Sequence, residues 1–143
     1  MRYETVHTIR DFWDGVRSGT ANFNGAPHYF TCPFDDVADD YTDAFQLFPV
    51  SQFFMEREVQ HWTIYRVWES KFHRGLVSLE THPGHGGIDA NYDELGRWLD
   101  DQIEGLAAIA TRQRATFRPV SGQEKTPAGM FRELEVCWSP KYD

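Results

Sequence analysis

Short apolar runs separated by turn residues fill the first third of the chain. Thr5–Trp13 is rich in strand formers and ends at Asp14-Gly15, and the runs Thr20–Phe23 and His28–Cys32 flank Asn24-Gly25. A tight hairpin turn selects Asn-Gly because both central residues take positive φ, so these two runs are predicted to pair. Pro27 then falls at the edge or the first position of the returning strand, where its missing N–H matters least. A further strand is predicted over Asp43–Phe48, with Phe45 and Leu47 on one face at the two-residue period and Pro49 as its stop. Between them, Pro33–Asp43 carries five aspartates and reads as a polar loop or a short helical turn.

The rhythm changes at Ser51. Phe54, Glu58, Trp62, Tyr65, Trp68 and Phe72 recur every three or four residues, while Glu56, Arg57, Gln60, Arg66, Glu69 and Lys71 cover the remaining surface, which predicts a helix over Ser51–Phe72. Thr63, Ile64 and Val67 favour extended chain and leave a strand pair as the alternative, which would make the fold nearly all-β. Leu76–Glu80 suits a short extended segment, and Thr81–Gly87, with its proline and three glycines, suits a loop. A second helix is predicted to start at Tyr92 behind an Asn91 cap, with Leu95, Trp98 or Leu99, Ile103, Leu106 and Ile109 carrying the apolar rhythm toward Ala110 and Gly105 marking close packing. Strands are expected at Ala115–Val120 and Phe131–Trp138, joined by a polar Ser121–Gly129 connection, with Pro140–Asp143 as a tail. The sum is an α+β fold in one domain over residues 1–143. An antiparallel sheet of about four to six strands packs against two principal helices, and the C-terminal strands return to that sheet.

Composition narrows the function. The chain has 143 residues, 22 acidic against 14 basic, for a formal charge of -8, which opposes non-specific binding to nucleic acid or anionic lipid. Arg112, Arg114 and Arg118 beside Phe117 are too thin a basic patch to reverse that, and local pairing near the end of the second helix is their expected role. No apolar run approaches the roughly 18 residues of a membrane span, and the MRYETVHTIRDFW start lacks the apolar core of a secretory signal. The expectation is a cytoplasmic protein without membrane contact. Cys32 and Cys137 stand far apart outside any CxxC motif and read as core thiols.

Two constellations carry candidate chemistry. Trp62, Tyr65, Trp68 and Phe72 form an aromatic ridge whose expected place is the core but which, if exposed, would anchor a partner. The loop His82-Pro83-Gly84-His85, with Asp89 nearby, offers two imidazoles and a carboxylate for a metal that could activate water, although the spacing is not HExxH. The aspartates at 35, 36, 39, 40 and 43 do not follow an EF-hand and read as solvated surface. Arg10, Asp11, Asp14 and Arg17 read as turn ion pairs, and His7, His28, His61 and His73 as structural or exposed histidines. The glycines at 84, 86 and 87 match neither a phosphate loop nor a dinucleotide fingerprint. The function expected is therefore a non-enzymatic cytoplasmic interaction or small-ligand-binding protein without a cofactor. A homodimer, a protein partner or a small ligand would be contacted through Trp13, Trp62, Tyr65 and Trp68. The alternative is a metal-dependent small hydrolase using His82, His85 and Asp89.

Overall fold

The Asn24-Gly25 pair turns the chain with φ of 54° and 78°, joining strand β2 (Val16–Phe23) to strand β3 (Ala26–Thr31) as its composition requires. This is a computed structural model that describes residues 2–42, 44–106, 110–120 and 133–140. The chain divides into two compact units, a strand-built one and a helical one over Gln52–Leu106.

The strand unit begins with β1 (Glu4–Phe12) and continues after β3 through β4 (Phe34–Asp35), β5 (Asp40–Tyr41), β6 (Phe45–Pro49), β7 (Thr111–Pro119) and β8 (Leu134–Pro140). Six of these, in the order β1-β2-β3-β6-β7-β8, form a closed antiparallel barrel, sealed where Glu4 and Thr5 of β1 pair with Val136 and Glu135 of β8. The acidic stretch predicted as a loop or helical turn is instead a small hairpin of β4 and β5, with Asp35 Oδ1 accepting from the amides of Val37 and Ala38. Such side-chain turns let aspartates shape a hairpin tip without helix formation. Strand β2 starts four residues before the predicted Thr20, and β7 four before the predicted Ala115. The Ser121–Gly129 connection, Phe131 and the last three residues lie outside the described residues.

The barrel interior is packed with rings. Phe30, Phe45, Phe117 and Trp138 come from four different strands, and every pair of them is in contact, with centroids 5.7 to 6.2 Å apart. Val16, Ala21, Cys32, Leu47, Leu134 and Val136 complete the buried cluster. Trp138 resolves its polar edge by donating from Nε1 to the Asn22 carbonyl at 2.9 Å, which removes the cost of burying an unpaired N–H. On the adjoining strands, small residues give the rings room. Gly19 stands opposite Phe30 in the register, and a Cβ on it would lie 2.2 Å from the Thr8 carbonyl oxygen and 3.1 Å from Phe30 Cζ. Register shifts interrupt the β1–β2 pairing after Val6, Ile9 and Asp11, and irregularities of this kind bend a sheet.

In the helical unit the Ser51–Phe72 expectation resolves as helix α1 (Gln52–His73), not as a strand pair. Leu76–Glu80 is not extended. A 3-10 turn over Leu79–Thr81 follows α1, and a second one covers Pro83–His85. Helix α2 (Ala90–Glu104) is capped by Asp89, whose Oδ1 accepts from the Tyr92 amide at 2.9 Å, two residues before the expected Asn91 cap. It ends at Gly105, which closes the last turn by donating to the Asp101 and Gln102 carbonyls at 3.2 Å, so Leu106 falls beyond the helix. Gly105 is a terminator and not a close-packing position, since a Cβ there meets only ordinary contacts at 3.6 Å. Among the described residues no helix is long and apolar enough to cross a membrane.

Replacing Gly19 by Ala is expected to cost about 3 kcal/mol, because the new methyl must displace backbone rather than a flexible side chain. Urea unfolding followed by circular dichroism measures it; an unchanged midpoint would show that the β1–β2 approach is looser than described.

Candidate functional site

Helical spacing lines up four rings along α1. Trp62 and Tyr65 lie 5.5 Å apart between centroids, Tyr65 and Trp68 6.2 Å, and Trp68 stacks on Phe72 at 5.1 Å with planes inclined by 14°. The chain after α1 adds two imidazoles to this row. His82 sits 4.4 Å from Trp68 and 5.5 Å from Tyr65, and His85 stacks on His82 at 5.4 Å. All four α1 rings and His82 are half-buried, so the row is a ledge, neither core nor free surface, and the Arg66 guanidinium lies 5.6 Å over the Trp62 ring.

Local bonds explain why the loop meets the helix there. The 3-10 turn at Leu79–Thr81 holds the Thr81 hydroxyl, which donates to the Ser78 carbonyl at 2.6 Å and accepts from Trp68 Nε1 at 2.8 Å. His82 caps the next turn, its Nδ1 accepting from the Gly84 amide at 2.8 Å. That contact needs glycine at 84, since a Cβ would come within 2.9 Å of the imidazole.

Charge is managed beneath the rings. Glu69 is only 4% exposed, although its position suggested surface cover. Its Oε2 accepts from the Tyr65 hydroxyl at 3.0 Å and its Oε1 pairs with Arg66. Two donors at i-4 and i-3 satisfy a carboxylate that could not otherwise be buried. Partial burial and then the Glu69 charge push the Tyr65 phenol up to about 12, so it stays a donor at neutral pH. Partial burial, followed by repulsion from His85, lowers the His82 imidazole below its ordinary 6.5, so it is neutral at pH 7.

A second aromatic group joins the two helices. Trp98 of α2 meets Phe53 edge-on at 5.4 Å and Phe54 at 6.2 Å, Arg57 lies 4.4 Å over Phe53 and 4.9 Å over Trp98, and His61 stacks on Tyr92 at 3.8 Å. These contacts fill the α1–α2 seam.

Of the residues singled out in the sequence, Trp62, Tyr65, Trp68, His82 and His85 are brought together. Trp13 belongs to the barrel unit, where it is 72% exposed at the β1–β2 turn. Asp89 caps α2 through its carboxylate. Among the described residues no group of three or more His, Cys, Asp and Glu side chains is placed to hold a metal ion, so His82, His85 and Asp89 do not assemble as ligands. Arg112 and Arg114 lie within β7, and Arg118 pairs across the sheet with Glu135 at 2.6 Å and lies 3.4 Å over the Tyr3 ring. Glu69, Arg66 and Thr81 are the site residues that sequence reasoning missed. The signal for the first two was present, as Glu69 follows Tyr65 by four and Arg66 by three. Comparison with protein-family models, with curated proteins and with solved structures found no match.

Two outcomes follow from this geometry. Tyr65→Phe leaves the buried Glu69 short of one donor and is expected to lower stability by about 1–2 kcal/mol, read from urea unfolding; no loss would mean that Arg66 alone satisfies the carboxylate. Because the folded His82 binds its proton less readily than the unfolded chain, its contribution is present above pH 6.5 and is lost as the pH falls below that value. Thermal melts between about pH 7.5 and about pH 5.5 should therefore show a decline that His82→Gln reduces, and an identical decline in the variant would refute the assignment.

Proposed function

We propose that this chain is a non-enzymatic cytoplasmic binding protein that holds a small planar aromatic ligand, neutral or cationic, against the Trp62, Tyr65 and Trp68 ledge without a cofactor. The observation that carries the reading is the continuous contact of half-buried rings from Trp62 to Phe72, extended sideways by His82. Ring faces carry partial negative charge and stack on planar or cationic groups, and rings already packed side by side lose little freedom on binding.

Two ionisable groups of the ledge, Tyr65 and Glu69, are poorly suited to acid–base catalysis. A general acid or base works with a proton affinity near the operating pH. Tyr65 at about 12 is far from that range, and the Glu69 carboxylate is occupied by Tyr65 and Arg66. The metal-dependent alternative lacks comparable support, since the Asp89 carboxylate is engaged in the helix cap. Cys32 and Cys137 are both buried and unpaired, which suits a reducing compartment.

Titration with indole and with benzyltrimethylammonium, followed by ligand-observed NMR, tests the reading. Saturable binding of at least one probe is expected, weakened about tenfold by Trp68→Ala and little changed by Trp98→Phe. Binding that ignores Trp68, or no saturation with either probe, would refute it. So would a mass in solution that shows a dimer dissociated by Trp68→Ala, because the ledge would then be covered by a second copy.

A further inference from the structure

The barrel unit has its own exposed apolar residues, and they gather in two neighbouring hairpin segments. Its exposed large hydrophobic side chains among the described residues are Phe12 at 59%, Trp13 at 72%, Phe34 at 48% and Val37 at 98%. Phe12 ends β1 and Trp13 follows it in the turn to β2, while the others belong to the β4–β5 hairpin. Arg17 ties the segments together. Its Nε donates to the Trp13 carbonyl at 2.8 Å, a terminal nitrogen donates to the Asp14 carbonyl at 2.9 Å, and its guanidinium lies 4.0 Å over the Tyr41 ring. Tyr41 in turn meets Phe34 edge-on at 5.2 Å. The hairpin is anchored beneath by Thr42, whose amide donates to the Pro33 carbonyl at 2.9 Å and whose own carbonyl accepts from the Cys32 thiol at 2.9 Å.

The same two segments carry aspartates. Asp11, Asp14, Asp35, Asp36, Asp39 and Asp40 are all exposed there. Asp35 and Asp40 each spend one oxygen on turn amides, which shapes the hairpin without cancelling their charge. Arg17 is engaged with carbonyls and the Tyr41 ring. The two segments therefore combine exposed apolar groups with six exposed aspartates, against Arg17 and the neighbouring Arg10.

We infer that this end of the barrel is a docking surface for a basic protein segment, one that presents lysine or arginine side chains around a large apolar residue. Charge complementarity selects this occupant. Nucleic acid and anionic lipid carry the same sign as these aspartates and are repelled, and a second copy of a chain with charge -8 would set aspartates against aspartates. The apolar residues supply the contact that an acidic surface alone lacks, while the carboxylates steer encounter and reject acidic partners. The surface differs from the α1 ledge in unit, residues and ligand chemistry, so it stands whether or not the ledge binds a small molecule.

The test uses the full chain and a synthetic peptide that alternates lysine and arginine with leucine and tryptophan, followed by fluorescence anisotropy. Saturable binding is expected, weakened about tenfold by the pair Trp13→Ser and Val37→Ser, and about tenfold by the pair Asp36→Asn and Asp39→Asn. It should also weaken as salt rises from about 50 to about 300 mM and be unaffected by Trp68→Ala. All the substituted side chains are exposed, so the variants should keep the circular dichroism and melting temperature of the parent. A peptide of lysine and glycine alone should bind about tenfold more weakly, which separates docking from simple charge attraction. Binding that survives both pairs of substitutions, equal affinity for the apolar-free peptide, or a dimer dissociated by Trp13→Ser would each overturn the inference. So would preferential binding to phosphatidylserine vesicles or single-stranded RNA.

Discussion

Closing six strands into a barrel leaves an interior wide enough only for side chains, so the residues that fill it decide the register of every strand around it. Here Phe30, Phe45, Phe117 and Trp138, drawn from β3, β6, β7 and β8, touch one another in every pairwise combination. A slip of one residue in any of these strands would turn its ring outward and leave a hole the size of an aromatic side chain. The remaining strands, β1 and β2, adapt through the small residues Gly19 and Ala21 on β2 and through irregular pairing between the two. Strands β6 and β7 are neighbours in the sheet although the whole helical unit separates them in the chain. Their pairing places Phe45 opposite Gln113, and the shared contact of Phe45 with Phe117 reinforces that long-range closure.

With the barrel interior filled by rings, both proposed binding surfaces are assembled from residues outside it. The two surfaces then use aromatic residues differently. Along α1 the rings are half-buried beside a buried Glu69 that pairs with Tyr65 and Arg66, and Arg66 also lies over the Trp62 ring. At the β1–β2 and β4–β5 segments the apolar groups stand exposed in stretches that also carry exposed aspartates, and the proposed docking there would combine apolar contact with selection by sign. A chain with an aromatic content of 15% thus places its rings in three settings: the barrel interior, the seam between α1 and α2, and the half-buried or exposed surface.

The sequence made local features legible and hid closure. Asn24-Gly25 required its turn, the three-and-four spacing from Phe54 to Phe72 marked α1, and the rhythm around Leu95 and Leu99 marked α2 within two residues at its start. The class of fold followed from these elements. Barrel closure did not, because the pairing of Glu4 with Val136 joins residues whose local patterns carry no trace of each other. The β4–β5 hairpin was hidden because two-residue strands have no period to read, and its turn is held by aspartate side chains that equally suit a helix start. At the α1 ledge the ring spacing was plain, as was the polar His82 loop, but their convergence depends on Thr81 reaching Trp68, a contact across thirteen residues. The metal arrangement of His82, His85 and Asp89 fails for a related reason: nearness along an irregular loop does not aim side chains at one point, and Asp89 has the nearer task of capping α2.

The five tryptophans, Trp13, Trp62, Trp68, Trp98 and Trp138, are distributed over the barrel interior, the helix seam and both candidate surfaces, which makes their indole N–H resonances direct reporters of where ligands bind. The decisive measurement is a nitrogen-15 correlation spectrum of these five groups during separate titrations with unlabelled indole and with the basic apolar peptide. Indole is expected to move Trp62 and Trp68, the peptide to move Trp13, and neither to move Trp138, whose N–H is bound to Asn22 inside the barrel. Movement of Trp138, or the same resonances responding to both probes, would contradict a packed barrel with two chemically distinct binding surfaces.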